Sequence, residues 1–102
     1  MNNDLATVTL LTIIAEAVLA DQLTRALLDA GATGYTMSTA SGQGSRHLGA
    51  TTLGGENVRI EVLLAASLGE RLLGEISARY FTNYGVVAWL SEVRVIRGDK
   101  YA

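Results

Sequence analysis

Between Ala6 and Ala15 the chain alternates Val8, Leu10, Thr12 and Ile14 with Thr7, Thr9, Leu11 and Ile13. β-branched and aliphatic residues on both faces predict a central strand. Val18, Leu19, Leu23, Leu27 and Leu28 then recur at helical spacing with Asp21 and Arg25 opposite, and Gly31 stands where a left-handed cap ends a helix. Tyr35 to Ala40 reads as a short second strand. Ser41 to Glu56 holds five of the eleven glycines and has no apolar period, so it is a long loop. Val58, Ile60, Val62 and Leu64 alternate with Arg59 and Glu61 as a third strand whose first half has one wet face. Ser67 followed by Glu70 has capping-box spacing, and Leu68, Leu72, Leu73, Ile76 and Tyr80 continue as a second helix. After the turn residues Asn83, Tyr84 and Gly85, the run Val87, Trp89, Val93, Val95 makes the last strand, which gives way at Arg97 and Gly98.

The order βαββαβ predicts an α+β, ferredoxin-like fold: a four-stranded antiparallel sheet with both helices on one face. Such a sheet leaves its other face bare. The first strand is apolar on both sides, and Trp89 and its neighbouring valines also need cover, so the bare face is expected to be buried by oligomerisation. For Trp89 a core or subunit-interface place follows. Glu61 has Arg59 and Arg94 as candidate partners within the sheet.

Composition narrows the function classes. A chain of 102 residues has room for a single domain, 1–102. It has no cysteine and one histidine, which leaves neither a disulfide framework nor a thiolate or histidine-cluster metal site. The net charge of -2 argues against a nucleic-acid footprint, and one Trp, four Tyr and one Phe are few for an RNA-stacking sheet. No apolar run reaches the roughly 18–20 residues of a membrane span, so no membrane insertion and a cytoplasmic location are expected. An enzyme needs a nucleophile, a base and an orienting partner that converge. The polar loop offers Ser45, Arg46 and His47, with no acidic residue between Asp29 and Glu56, so no catalytic residue is assigned.

Four pieces of sequence in succession are more specific: Gly31-Ala32-Thr33-Gly34-Tyr35-Thr36, Gly42-Gln43-Gly44-Ser45-Arg46, Asn57 to Leu63, and Tyr80-Phe81-Thr82-Asn83-Tyr84. Together with the element order, this succession resembles the PII signalling superfamily, in its PII-like branch associated with bicarbonate transporters and carboxysomes. The likeness covers residues 6 to 98. It implies a homotrimer that binds adenine nucleotide in the clefts between subunits, with Ser41 to Glu56 as the T-loop and about 82–87 as the B-loop. Carried over residue by residue, Gly42, Gly44, Ser45 and Arg46 match the T-loop base that holds phosphates, and Gly85, Val86 and Val87 match the B-loop beside the adenine. Arg97 is the candidate contribution from the neighbouring subunit. The chemistry agrees, since glycines let backbone N–H groups approach phosphate oxygens and an arginine fork adds a bidentate charge-assisted contact.

This chain departs from its relatives in ways that bear on the ligand. Gly49 stands where they carry a second arginine, which favours AMP or ADP over triphosphate. The B-loop reads Gly85-Val86-Val87 in place of an Ala-Gly-Ile pattern. The T-loop contains no tyrosine to be uridylylated, and the absence of cysteine excludes the redox switch of some relatives. Bicarbonate sensing requires a small anion site, for which Ser45, Arg46 and His47 are the candidates. The resemblance thus implies a signalling protein, not an enzyme, that regulates inorganic-carbon uptake or carboxysome function, with a bicarbonate transporter or carboxysome-related protein as partner. A trimeric metal-tolerance or structural protein of the same fold is the alternative, and it has no need of Arg46.

Overall fold

The computed structural model describes residues 4–42, 56–96 and 101. Strand β1, Leu5–Glu16, pairs antiparallel with β3, Asn57–Leu64, on one side and with β4, Val86–Ile96, on the other. β2, Thr36–Ala40, adds to the far edge of β3, giving the order β2-β3-β1-β4. A 3₁₀ turn over Ala17–Leu19 leads into helix α1, Ala20–Asp29, and α2, Ala66–Tyr80, connects β3 to β4. This is the ferredoxin-like arrangement that the sequence predicts.

The pleat sorts each strand into two sets of side chains. Leu11, Ile13, Ala15, Val58, Ile60, Val62 and Leu64 point to the helices and close a core with Leu19, Leu23, Leu27, Leu72, Ile76 and Tyr80. Gly69 is where α2 comes down onto the sheet: a Cβ there would lie 3.1–3.2 Å from Leu64, Thr9 and Leu90 side chains. On the opposite face, Thr12 pairs with Glu61 and Trp89, Leu10 with Leu63 and Ser91, and Ile14 with Arg59 and Val87. That face carries no helix, as expected, and Trp89 and Val87 on it are exposed.

Helix α1 ends as its glycine predicts. Gly31 has φ 113°, its N–H donates to the Leu28 carbonyl, and the next N–H, of Ala32, donates to Leu27. These two bonds are a Schellman cap, which meets carbonyls the helix cannot satisfy itself.

Two local expectations are corrected. Val18 is not part of the buried stripe and is 72% exposed. At about 100° per residue it stands roughly 100–180° around from Leu19, Leu23 and Leu27, on the solvent side, and it lies in the 3₁₀ turn that precedes α1. The capping box is not formed either. α2 starts one residue before Ser67, and its N-cap position is Ala65, which has no side chain to offer the free N–H groups.

Candidate functional site

β1 spans twelve residues, roughly 35 Å at strand spacing, so the sheet has two well-separated ends. At the Glu16 end the register brings Ala40 beside Asn57, Asn57 beside Glu16, and Val86 beside Ala15. The segment leaving β2 at Ser41 and Gly42, the one entering β3 at Glu56, and the turn before β4 therefore share one edge. An open cleft of about 240 Å³ lies between Thr39, Ala40, Ser41 and Glu56.

Glu16 and Ala17 tie these segments together. The Gly85 N–H donates to the Glu16 carboxylate at 2.6 Å, and the Glu16 N–H donates back to the Gly85 carbonyl at 3.3 Å. The next N–H, of Ala17, donates to the Glu56 carbonyl at 2.8 Å. The turn is rooted at its other end in α2. Asn83 and Tyr84 N–H groups both donate to the Tyr80 carbonyl, and the Tyr80 and Tyr84 rings meet edge to face at 6.0 Å. Tyr80 in turn donates its hydroxyl to Gln22 Oε1 at 3.2 Å, which fastens α2 to α1.

Four of the predicted site residues are among the described residues. Gly42, Gly85, Val86 and Val87 lie at the Glu16 end. Gly42 is exposed, and a Cβ on it would touch none of the described residues, so neither crowding by them nor a positive φ demands glycine there. Gly85 is buried, Val86 half-buried and Val87 exposed. Gly44, Ser45, Arg46 and His47 lie outside the described residues, as does Arg97. Arg97 follows Ile96, which pairs with Leu5 at the other end of the sheet. That end has its own open cleft, of about 140 Å³, between the Gly31–Thr33 segment, the Leu63–Ala65 segment, Leu68 and Tyr101.

Sequence reasoning missed Glu16, whose carboxylate joins the B-loop turn to β1. Its one visible signal is a lone acid closing a long apolar strand, and nothing in such a pattern says that a glycine far along the chain is its partner. It also missed the cleft at the Leu5 end, because that cleft is made by segments distant in sequence, Gly31–Thr33 and Leu63–Ala65, that the β2–β3 ladder brings together. The Arg59 expectation is met within its own strand: its guanidinium lies 3.3 Å from Glu61. Among the described residues no group of three or more His, Cys, Asp or Glu is placed to hold a metal ion. Nor is any described helix long and apolar enough to cross a membrane.

Comparison with known proteins agrees with the fold and extends it. A PII-like signalling protein of Thermus thermophilus superposes with a TM-score of 0.82 at 34% identity, over 97% of this chain and 99% of that one. CPII of Thiomonas intermedia, a nitrogen regulatory PII-like protein bound to ADP, AMP and bicarbonate, superposes at 0.85 with 25% identity over 98% of both chains. The same protein bound to ADP and bicarbonate gives 0.84, also at 25% identity, over 99% of this chain and all of that one. The family profile described as nitrogen regulatory protein P-II matches residues 8–100, and the chain belongs to that family.

Proposed function

We propose that this protein is a non-enzymatic signalling protein that binds AMP or ADP, acts as a homotrimer and senses bicarbonate. Proteins of the P-II family signal rather than catalyse. The observation that carries the reading is the convergence of the Ser41–Gly42, Glu56 and Gly85–Val87 segments on one end of the sheet, where Glu16 binds Gly85 and Ala17 binds Glu56. The segments belong to the two loops that the family resemblance assigns to nucleotide, and the Glu16 carboxylate holds one of them by a bond that the strand ladder does not supply.

A complete site takes two copies of the chain. β4 runs from the B-loop to Ile96, which pairs with Leu5 at the far end of the sheet, and Arg97, the next residue in sequence, is assigned to the site of a neighbouring subunit. The uncovered sheet face, with Leu10, Ile14, Leu63, Val87 and Trp89, supplies the apolar surface for assembly. Ser45, Arg46 and His47 on the T-loop take the phosphates and the small anion, and ligand binding selects the loop conformation that a partner reads. The loop shifts only by the ligand's difference in affinity for its two states. Regulation of inorganic-carbon uptake or carboxysome function is the role in keeping with the bicarbonate-bound relative.

Calorimetric titration with AMP, ADP, ATP and cyclic AMP, each with and without bicarbonate, tests the reading. Micromolar binding of AMP or ADP that bicarbonate strengthens is the expected result. Binding indifferent to bicarbonate leaves an energy sensor without a carbon input, and no nucleotide binding overturns the proposal.

A further inference from the structure

Glu16 ends β1, and its side chain faces the turn between α2 and β4. Both polar backbone groups of Gly85 are engaged by this one residue: the N–H by the carboxylate and the carbonyl by the Glu16 N–H. Gly85 is also buried, so while this pairing holds, its amide is not open to a phosphate. Its part at this end of the sheet is to be held, and Val86 and Val87 are then set at the edge. Of the three bonds made by Glu16 and Ala17 to Gly85 and Glu56, the one through the carboxylate is the one a side-chain substitution can remove.

We propose that Glu16 is a positioning residue for nucleotide binding, fixing the 83–87 turn against the β3 end of the long loop without itself touching the ligand. This rests on the nucleotide-binding reading above. A carboxylate accepting an N–H is among the stronger hydrogen bonds of a folded chain. Without it the turn samples other positions, and affinity falls in proportion to the fraction of time spent in the competent one. The geometry also makes a prediction that charge by itself does not. Glutamine keeps both the length and an acceptor oxygen, whereas aspartate keeps the charge but is one methylene short of the Gly85 N–H.

The experiment is ADP titration of the full chain carrying Glu16→Gln, Glu16→Asp or Glu16→Ala, with thermal midpoints and Gly85 amide exchange measured on each. Glu16→Asp and Glu16→Ala are expected to weaken ADP by about tenfold and Glu16→Gln by no more than about threefold, the scale of one charge-assisted hydrogen bond. The Gly85 amide should exchange faster in the two weakened variants than in Glu16→Gln. Aspartate binding ADP like the parent while glutamine is weakened makes the effect one of charge and overturns the inference, as does unchanged affinity in all three. Affinity losses that follow the thermal midpoint, with no rescue by glutamine, reduce Glu16 to a stabilising residue and overturn it too. Should Glu16→Ala not fold, the comparison of aspartate with glutamine decides. A parent protein that binds no ADP instead removes the nucleotide reading itself.

Discussion

The guanidinium of Arg59 lies 5.9 Å from the centre of the Trp89 ring while bridging to Glu61 at 3.3 Å. Trp89 and Glu61 are the two residues that flank Thr12 across the ladders, so the three side chains roof a threonine that is 1% exposed. Thr12 Oγ1 has no hydrogen-bond partner among the described residues. An ion pair this open to solvent contributes at most about 1 kcal/mol, and the cation–π contact about 0.5–1 kcal/mol. The cluster is therefore a small term in the stability of one chain. It matters as a polar island in a largely apolar face, where it limits the registers in which a second copy can sit.

That face is tested most directly at Leu10, which is half-buried and lies between Leu63 and Ser91. Leu10→Glu places a charge on the apolar surface without entering the helix-side core. Light scattering is expected to show the trimer replaced by monomer, with the far-ultraviolet circular dichroism of the parent retained. A trimer that survives Leu10→Glu means the chain assembles through some other surface.

Two glycines to alanine should move stability in opposite directions. Gly31 holds φ 113° in the Schellman cap, with open space around any added Cβ, so the cost of Gly31→Ala is purely backbone strain, about 1–2 kcal/mol. Gly74 is exposed inside α2 with nothing near it, and Gly74→Ala should add about 1 kcal/mol by helix propensity. Denaturant melts of the two variants check both signs.

The start of α2 offers a further pair. Ala65→Ser supplies the missing N-cap acceptor and should stabilise by about 1 kcal/mol. Ser67→Ala, which a capping box would make costly, should change stability by no more than about 0.5 kcal/mol because Ser67 is already inside the helix. Gly69→Ala, two positions on, is expected to destabilise by about 1–3 kcal/mol through its close contacts with Leu64, Thr9 and Leu90. Thermal and denaturant melts of the three variants, compared with the parent, measure each difference.

The elements were legible because the hydrophobic period changes cleanly from two to nearly four and back, and because Gly31 carries a conformation few other residues accept. What stayed hidden depends on contacts that no periodicity encodes. Val18 is apolar and adjoins Leu19, but on a helical wheel it stands across from Leu23 and Leu27, and the structure leaves it in solvent ahead of α1. Ser67 and Glu70 have the right spacing for a capping box, yet the helix starts from the end of β3, where the ladder with β1 has already fixed the chain. Glu16 and Gly85 are brought together by strand pairing over a long stretch of sequence. The glycine-rich stretch 43–55 lies outside the described residues, and the ligand chemistry assigned to it comes only through resemblance to a family.

Arg46 decides how far that chemistry carries. It is the one arginine between Arg25 and Arg59, so on the function proposed above a phosphate or bicarbonate at the T-loop base has one guanidinium of this stretch to meet it. If both ligands use it, they are coupled, and linkage requires each to change the other's affinity by the same factor. Arg46→Ala should weaken ADP and bicarbonate together, by about tenfold or more for loss of a charged hydrogen bond. It should also abolish the strengthening of one by the other. Because Arg46 is a charged residue in a glycine-rich stretch of sequence with no apolar period, the melting temperature without ligand should be that of the parent. Calorimetry with each ligand, by itself and in the presence of the other, measures all four affinities. Loss of ADP binding with bicarbonate affinity intact would separate the two sites and move the anion to Ser45 and His47, whereas unchanged affinity for both removes Arg46 from the mechanism.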